Sequence, residues 1–395
     1  MSIIKQKNWL FPALACVSLL TGCGGGSSTN EPIVDDPKIN EPNPVEVAFD
    51  YQAEIDNAIS DTIPGIVLLV ENADSSFLGA AGVANIETLD PMQTYHVMPA
   101  GSAGKKLTAL LAVLLEQEGL LSLDDKINTL LDEELLAQIE HSDSITIKQL
   151  LNHTSGVFDY LDDSNASTYY NALLLSDPSE LKLDQYPLAF ALNKPAYSLP
   201  GEAFHYSNTG YLLVGLIIDK LLSEHHSVAI RNRILDPLGM TASFYGGIEK
   251  ELGEIISGYY HDETIGTIDT KPFYENIGFA DAPLSSNVED LAHLLKSIVS
   301  NDSALPQDVQ ARFFDESTSV RLDATREYGL GIFKEYMNGK TVYHHGGIEP
   351  GYRTTNIFIE ETQTSITAFF NCGLSEQCEA ETDKVVHSIL NNELE

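Results

Sequence analysis

The pattern of apolar and polar positions differs between the two ends of the chain and its middle. Segments 65–72 and 76–84 are typical of two strands in a hairpin, and extended segments return late, at 329–334, 340–345, 354–359 and 365–370. From about 123 to 270 the pattern is mainly helical, and a last helix is predicted over 382–390. Strands from both ends around a helical middle predict an α+β fold, with one antiparallel sheet flanked by helices and an all-helical insertion.

One apolar run, 107–115, directly follows Ser102-Ala103-Gly104-Lys105. Its leucines form one stripe of a helix: Leu107, Leu110, Leu111, Leu114 and Leu115. Residues three apart share a face of a helix, so the Lys105 amine should lie beside the Ser102 hydroxyl. A serine needs a proton acceptor to act as a nucleophile, and a lysine becomes one only when burial lowers its pKa from about 10.4. We therefore predict that Ser102 is a nucleophile and Lys105 its base.

The same spacing occurs a second time, in Ser179-Glu180-Leu181-Lys182. This copy lies beside Asp177-Pro178, and no apolar helix follows it that could bury the lysine. We therefore place the nucleophile at Ser102 and not at Ser179.

A second motif, Tyr206-Ser207-Asn208, lies just before the apolar helical run 212–222. A tyrosine can share a proton with a lysine, and an asparagine amide can both donate to a substrate carbonyl and accept from its amide. These properties suit a catalytic role for Tyr206 and a substrate-binding role for Asn208, but alone the tripeptide is also typical of a loop with an ordinary amphipathic tyrosine.

A third motif, His344-His345-Gly346-Gly347, ends the extended segment 340–345. Glycine at a strand end allows a substrate backbone to approach closely. The Gly347 amide would then be free to pair with the Ser102 amide as an oxyanion hole. We predict that His344, Gly346 and Gly347 bind substrate.

In this order the three motifs resemble the serine beta-lactamase and penicillin-binding protein family, in its class C-like group of DD-peptidases and esterases. Further stretches similar to this group are 150–156, 211–215, 234–240 and 350–353, so the resemblance spans about 51–390. It implies a beta-lactamase/DD-peptidase-like fold, with an α/β part at about 46–122 and 278–395 and a helical part at about 123–277. It also implies an acyl-enzyme at Ser102 and no cofactor. His344 would replace the strand lysine of the family, and His345 stands where a threonine is usual.

The first residues have the pattern of a secretory signal. Lys5 and Lys7 precede an apolar segment, 9–20, that is too short to cross a bilayer and is closed by Leu20-Thr21-Gly22-Cys23. This segment resembles a bacterial lipoprotein signal, which implies that 1–22 is removed and that Cys23 carries lipid. Residues 23–45 are predicted to be a disordered tether of about 25 Å, followed by a hydrolase domain at 46–395. In a Gram-negative cell, Gly24 after the cysteine favours retention at the outer membrane, facing the periplasm.

Charge, cysteine content and histidine spacing indicate which partners, disulfides and metal sites the chain can have. The chain has 58 acidic and 22 basic residues, a balance of −36 that becomes −38 when the signal takes Lys5 and Lys7 with it. Such a field repels nucleic acid. Cys372 and Cys378 could pair in an oxidising compartment or remain two buried thiols. A metal site is not predicted, because the adjacent histidines at 225–226 and 344–345 lack ligand spacing.

These observations predict a lipid-anchored serine hydrolase, most similar to a D-alanyl-D-alanine carboxypeptidase acting on peptidoglycan stem peptides. An esterase or D-amino-acid peptidase with the same machinery is the first alternative. A non-catalytic cell-wall-binding lipoprotein is the second, and the intact Ser102, Lys105 and Tyr206 argue against it. Beta-lactam turnover is expected to be weak, because His344 stands where the family has a lysine, and an imidazole binds a carboxylate less well than an ammonium group.

Overall fold

Residues 49–262 and 265–395 are described here from a computed structural model, and Asp50–Glu395 forms one compact unit. The predicted signal, Cys23 and the whole predicted tether lie outside the described residues. Among the described helices, none combines the length and the apolar character that crossing a membrane requires.

In the part of the chain that the structure describes, the strands form one large sheet and three small ones. They are β1 (Gly65–Glu71), β2 (Ser76–Gly82), β3 (Met98–Pro99), β4 (Lys182–Leu183), β5 (Phe244–Tyr245), β6 (Tyr259–Asp262), β7 (Gly266–Asp269), β8 (Ile277–Gly278), β9 (Leu284–Ser286), β10 (Val320–Arg321), β11 (Arg326–Tyr328), β12 (Phe333–Met337), β13 (Lys340–His344), β14 (Gly347–Glu349), β15 (Tyr352–Ile359) and β16 (Thr364–Phe370).

The α-helices are α1 (Tyr51–Ala58), α2 (Lys105–Gln117), α3 (Glu133–Leu136), α4 (Ile147–Leu151), α5 (Ala166–Leu175), α6 (Gln185–Leu188), α7 (Asn208–Leu222), α8 (His226–Ile230), α9 (Lys271–Tyr274), α10 (Val288–Val299), α11 (Gln307–Ala311) and α12 (Glu376–Leu394). Short 3-10 turns occupy Gly101–Gly104 and Ile127–Thr129, and a π-helical turn occupies Arg231–Leu235.

The large sheet joins strands from both ends of the chain, as the apolar pattern predicts. Its order is β10-β11-β12-β13-β15-β16-β1-β2, with β14 also paired to β15, and every pairing is antiparallel. Val67 of β1 lies opposite Phe369 of β16, which sets the register between the two ends. Helix α10 packs on β1, β15 and β16, and α12 packs on β16. Because both faces are covered, β1 is almost continuously apolar instead of alternating.

Helix α2 is the centre of the core and carries the nucleophile motif at its start. Leu107, Leu110, Leu111 and Leu115 are fully buried, and Leu114 is partly buried. The helix contacts α7, α8 and α11, so most of its circumference is covered and not only the leucine stripe. This surrounding burial is what the proposed lysine base requires.

The structure differs from the sequence prediction at three places. Only residues 333–334 of the strand predicted over 329–334 are in a strand, because Gly331, with a φ of +74°, bends the chain between β11 and β12. The predicted helical part contains short strand pairs, β6 with β7 among them, because strands of two to four residues leave little periodicity to detect. The last helix begins at Glu376, before the predicted residue 382, because Ser375 caps it by accepting from the Cys378 backbone N–H. Cys372 and Cys378 form a disulfide that ties the residues after β16 to the first turn of α12.

Candidate active site

Ser102 lies in the 3-10 turn that leads into α2 and is partly exposed. Two glycines allow β14 to approach this turn closely. Gly101 has a φ of +53°, and a Cβ at that position would lie 3.3 Å from the Ile348 nitrogen. A Cβ on Gly347 would lie 2.0 Å from the Ala100 carbonyl oxygen. The backbone of Gly347 therefore lies against the nucleophile turn, in the region where a second oxyanion donor would be needed.

Lys105 is fully buried and has three close partners. Its Nζ lies 3.1 Å from Ser102 Oγ, 2.7 Å from Asn208 Oδ1 and 2.9 Å from the Asp281 carbonyl oxygen. A neutral amine has two N–H donors and one lone pair. The two carbonyl oxygens take the donors, so the lone pair is directed at the remaining partner, the Ser102 hydroxyl.

The electrostatic surroundings adjust the basicity of Lys105. Burial lowers its pKa from the usual value of 10.5, and the carboxylates of Asp281, Asp159 and Glu349 oppose this effect. Asp281 Oδ2 is 4.0 Å from Nζ. A lysine whose pKa is lowered by burial can exist as the neutral base that a serine nucleophile needs.

Asn208, the first residue of α7, positions Lys105. Its Oδ1 accepts from Lys105, and its Nδ2 donates to both oxygens of Asp159, at 3.2 and 3.1 Å. The Asn208 backbone N–H also donates to Asp159, at 3.0 Å. Both ends of the amide are thus engaged within the protein, whereas the sequence analysis predicted that this amide binds substrate.

Tyr206 lies above Lys105, with the amine 5.4 Å from the ring centroid. Its ring packs on His153, with centroids 4.1 Å apart, and His153 is held by the Ser207 N–H and by the Tyr328 hydroxyl. Burial raises the pKa of Tyr206 well above 10, against a smaller opposing effect of its hydrogen bond with Ser102. Tyr206 is therefore a neutral phenol that can relay a proton.

The structure places His345, and not His344, beside Tyr206. His345 Nε2 is 3.5 Å from the Tyr206 hydroxyl, and its Nδ1 is 2.8 Å from the Gly346 carbonyl oxygen. Because a carbonyl only accepts, Nδ1 carries the hydrogen and Nε2 is the acceptor that faces the tyrosine. Burial lowers the pKa of His345 well below 6.5, and Lys106 and Lys105 lower it further. The ring is therefore neutral.

His344 occupies a different environment. Its ring stacks on Phe333, with centroids 5.3 Å apart and planes 12° from parallel, and its Nε2 is 3.5 Å from Glu335 Oε1. The sequence assigned substrate binding to this histidine, but the side chain that reaches the nucleophile cluster belongs to the next residue.

A second buried lysine, Lys106, follows the first. Its Nζ donates to the Ala103 carbonyl at 2.5 Å and to Asn356 Oδ1 at 3.0 Å, and burial lowers its pKa from 10.5 to about 7. The sequence analysis gave no role to Lys106, nor to Asp159 and Asp281. Asp159 and Asp281 act through contacts with residues distant in sequence, and Lys106 lies on a buried side of α2. A local sequence motif shows neither kind of contact.

The second Ser-x-x-Lys match is not assembled as a site. The Ser179 hydroxyl donates to Asp177 at 2.7 Å, and Lys182 Nζ donates to the carbonyls of Asp177 and Glu180 at 2.8 and 3.1 Å. The serine and the lysine thus hold their own loop.

A histidine pair is involved in another polar cluster. Ligand atoms of Asp219, His225 and His226 lie within 4.8 Å of one another. His226 Nδ1 is 2.7 Å from Asp219, and its Nε2 is 2.5 Å from the Tyr245 hydroxyl. Both nitrogens of His226 are thus used in hydrogen bonds that tie α7, α8 and β5 together.

The fold, with Ser102, Lys105 and Tyr206 brought together, is that of serine hydrolases of the penicillin-binding and beta-lactamase type. The chain belongs to the Beta-lactamase family, whose profile matches residues 52–391. This confirms the resemblance and the fold class that the three motifs predict.

Individual relatives cover most of the chain. Penicillin-binding protein 4* of Bacillus subtilis (strain 168) is 28% identical over 320 residues, which are 76% of this chain and 67% of the relative. Protein flp of Staphylococcus aureus (strain N315) is 26% identical over 309 residues, 76% of this chain but only 59% of the relative. The chain thus spans about three fifths of the length of Protein flp.

Solved structures share the fold. A penicillin-binding protein from Bacillus halodurans superposes with a TM-score of 0.71 at 21% identity, covering 86% of this chain and 98% of the other. D-amino acid amidase from Ochrobactrum anthropi SV3, complexed with L-phenylalanine, superposes with a TM-score of 0.70 at 22% identity, covering 87% of this chain and 99% of the amidase. At this identity the likeness concerns the fold alone.

Proposed function

We propose that the protein is a serine hydrolase that works through an acyl-enzyme at Ser102. This proposal rests on the 3.1 Å contact between Ser102 Oγ and Nζ of the fully buried Lys105. Neutral Lys105 takes the hydroxyl proton as Oγ attacks the carbonyl carbon of the substrate. The backbone amides of Ser102 and Gly347 are the proposed donors to the developing oxyanion.

The leaving group departs with a proton. As the tetrahedral intermediate collapses, the bond from the carbonyl carbon to the amine or alcohol breaks, and the proton held by Lys105 passes through the Tyr206 hydroxyl to that group. His345 Nε2 orients this hydroxyl by accepting from it. Water then hydrolyses the ester by the same steps in reverse order, with Lys105 again as the base.

The substrate we propose from the sequence is a D-alanyl-D-alanine peptide, cleaved by a carboxypeptidase-like reaction. The similarity to Penicillin-binding protein 4* supports it. Charges around the nucleophile favour the second candidate, an amidase, esterase or D-amino-acid peptidase. His345 is neutral and offers no positive charge. The carboxyl groups of Asp281 and Glu349 lie close enough to Lys105 to raise its pKa, so they would also repel a substrate carboxylate bound beside Ser102.

We also propose that the protein is attached to the cell envelope, at the periplasmic face of the outer membrane, by lipid on Cys23. The lipobox-like Leu20-Thr21-Gly22-Cys23 and the polar segment that follows it support this proposal.

The test is covalent labelling followed by intact-protein mass spectrometry. Wild type should gain the mass of one phosphonyl group, which is the fluorophosphonate minus the HF that leaves, and a labelled penicillin probes whether the site accepts a D-alanyl mimic. Ser102→Ala should abolish labelling, and Ser179→Ala, the matched control, should retain it. Labelling that survives in Ser102→Ala would refute the proposed nucleophile.

A further inference from the structure

A small pocket lies against the nucleophile turn, on the side of β14. Its lining combines Tyr160, Tyr169, Tyr274, Ser285 and Glu349 with apolar residues that include Pro99 and Phe279. The Glu349 Cγ is 3.3 Å from the position that a Cβ on Gly101 would occupy. Since Gly101 immediately precedes Ser102, with Cα atoms about 3.8 Å apart, the Glu349 side chain lies next to the proposed site of acylation.

Glu349 is held in a defined orientation. The Tyr274 hydroxyl donates to Glu349 Oε2 at 2.8 Å, while burial, reinforced by Asp281, raises the pKa of Glu349 to about 7. In the proposed reaction this carboxyl group neither gives nor takes a proton. A carboxylate kept in such surroundings is stabilised by any cation that can reach it.

A second carboxylate stands near the first. Tyr160, another pocket residue, donates to Asp281 Oδ2 at 2.9 Å, and the Asp281 backbone oxygen accepts from Lys105. Within residues 49–262 and 265–395, the buried Asp281 Oδ1 has no hydrogen-bond partner. The region beside Ser102 therefore combines two acidic groups with the rings of three tyrosines.

This combination suits a substrate ammonium group. Carboxylates bind ammonium through charge-assisted hydrogen bonds, and tyrosine rings attract cations through their faces. The cavity, about 20 Å³, accommodates a group the size of a water molecule, for which roughly 10–15 Å³ suffices. An anionic substituent would be repelled by Glu349, and a bulky N-acyl group would not fit.

We propose that the Glu349 pocket binds the free ammonium group of the acyl donor, so that the protein prefers amino-acid amides, esters or peptides with a free amine over their N-acylated forms. This inference rests on the proposed acyl-enzyme reaction at Ser102. It assigns a substrate class to that reaction and names Glu349 as the residue that selects it, with Tyr274 as a positioning residue.

The test compares two substrates that differ only at the amine, D-alanine p-nitroanilide and its N-acetyl derivative. A charge-assisted hydrogen bond contributes about 1.5–3 kcal/mol, so the ratio of their kcat/KM values should favour the free amine by roughly 10- to 100-fold. Glu349→Gln preserves the side-chain shape and should reduce this ratio by a similar factor. Glu335→Gln, at a buried glutamate on β12, is the matched control and should keep the wild-type ratio.

A binding measurement that needs no turnover separates recognition of the ammonium group from misfolding and from effects on catalysis. In a Ser102→Ala background, calorimetry should detect D-alaninamide binding more tightly than N-acetyl-D-alaninamide, and Glu349→Gln should remove the difference. Melting temperatures establish that each variant is folded. Equal binding of the two amides, or a ratio unchanged in a folded Glu349→Gln, would overturn the inference.

A neutral ester separates failure of this inference from failure of the proposed function. If wild type hydrolyses p-nitrophenyl butyrate but does not distinguish free from acetylated amine, the hydrolase proposal stands and the ammonium pocket is refuted. If neither the ester nor the anilides are hydrolysed and Ser102 is not labelled, the proposed function itself fails.

Discussion

Replacing Lys106 by methionine tests how strongly α2 is buried at the point where the nucleophile motif requires it. Methionine keeps an unbranched stem of similar length and removes the amine. Lys106 is fully buried, and burial lowers its pKa from 10.5 to about 7. Its amine donates to Ala103 and Asn356.

The pH dependence of stability follows from the two pKa values. Between pH 7 and 10.5 the unfolded chain keeps a proton on Lys106 that the folded protein has largely lost. The free energy of unfolding therefore rises with pH in this range, by up to about 1.4 kcal/mol per pH unit. Because Lys106 is half protonated in the fold near pH 7, its contribution between pH 7 and 9 is roughly 2 kcal/mol.

Urea unfolding at pH 7 and pH 9 measures this contribution. The stability of wild type minus that of Lys106→Met should increase by roughly 2 kcal/mol from the lower to the higher pH. The substitution also removes the hydrogen bonds to Ala103 and Asn356. This loss changes the free energy of unfolding equally at both pH values, so it cancels in the comparison. Lys220→Met, at an exposed lysine paired with Asp132, is the control and should show the same difference at both pH values. A pH-independent difference for Lys106→Met would refute the reasoning.

Three further predictions concern the roles of single side chains. Tyr206→Phe keeps the packing on His153 and removes the hydroxyl, so turnover should fall by roughly 100- to 10,000-fold with little change in melting temperature; near-native activity would leave Lys105 as the only proton carrier. His345→Ala should lower turnover at least about 10-fold, whereas His344→Ala should mainly lower the melting temperature, because His344 packs on Phe333; the reverse pattern would restore the sequence-based assignment. Cys23→Ser should move the protein from the membrane fraction to the soluble fraction, and unchanged fractionation would contradict the lipid anchor.

The parts of the fold that could be predicted are those with a clear local period. The hairpin of β1 and β2, the late strands β13, β15 and β16 and the start of α2 follow from apolar spacing, and burial of Lys105 follows from the leucines after it. The structure brings His345, the neighbour of the predicted His344, beside Tyr206. Side chains alternate between the faces of a strand, so a shift of one position reverses which histidine faces the site, and two adjacent histidines give no sequence signal to choose between them.

Residues that act through tertiary contacts could not be predicted in this way. Asp159 and Asp281 reach Lys105 from the helical part and from the loop before β9, and neither belongs to a recognisable motif. Glu349 lies two residues after Gly347, yet its environment is built by tyrosines from distant segments. These acids determine how basic Lys105 is, and they become visible only once the chain is folded.

The same electrostatic network connects substrate selection with catalysis. Carboxylates at Asp281, Asp159 and Glu349 favour the protonated, inactive form of Lys105, against the effect of burial. An ammonium bound at Glu349 would cancel one of these negative charges and place a positive charge on the same side of Lys105. Both effects lower the pKa of Lys105 and increase the fraction present as neutral base. A substrate with a free amine would thereby activate the nucleophile as it binds, and an N-acylated analogue would lack this effect.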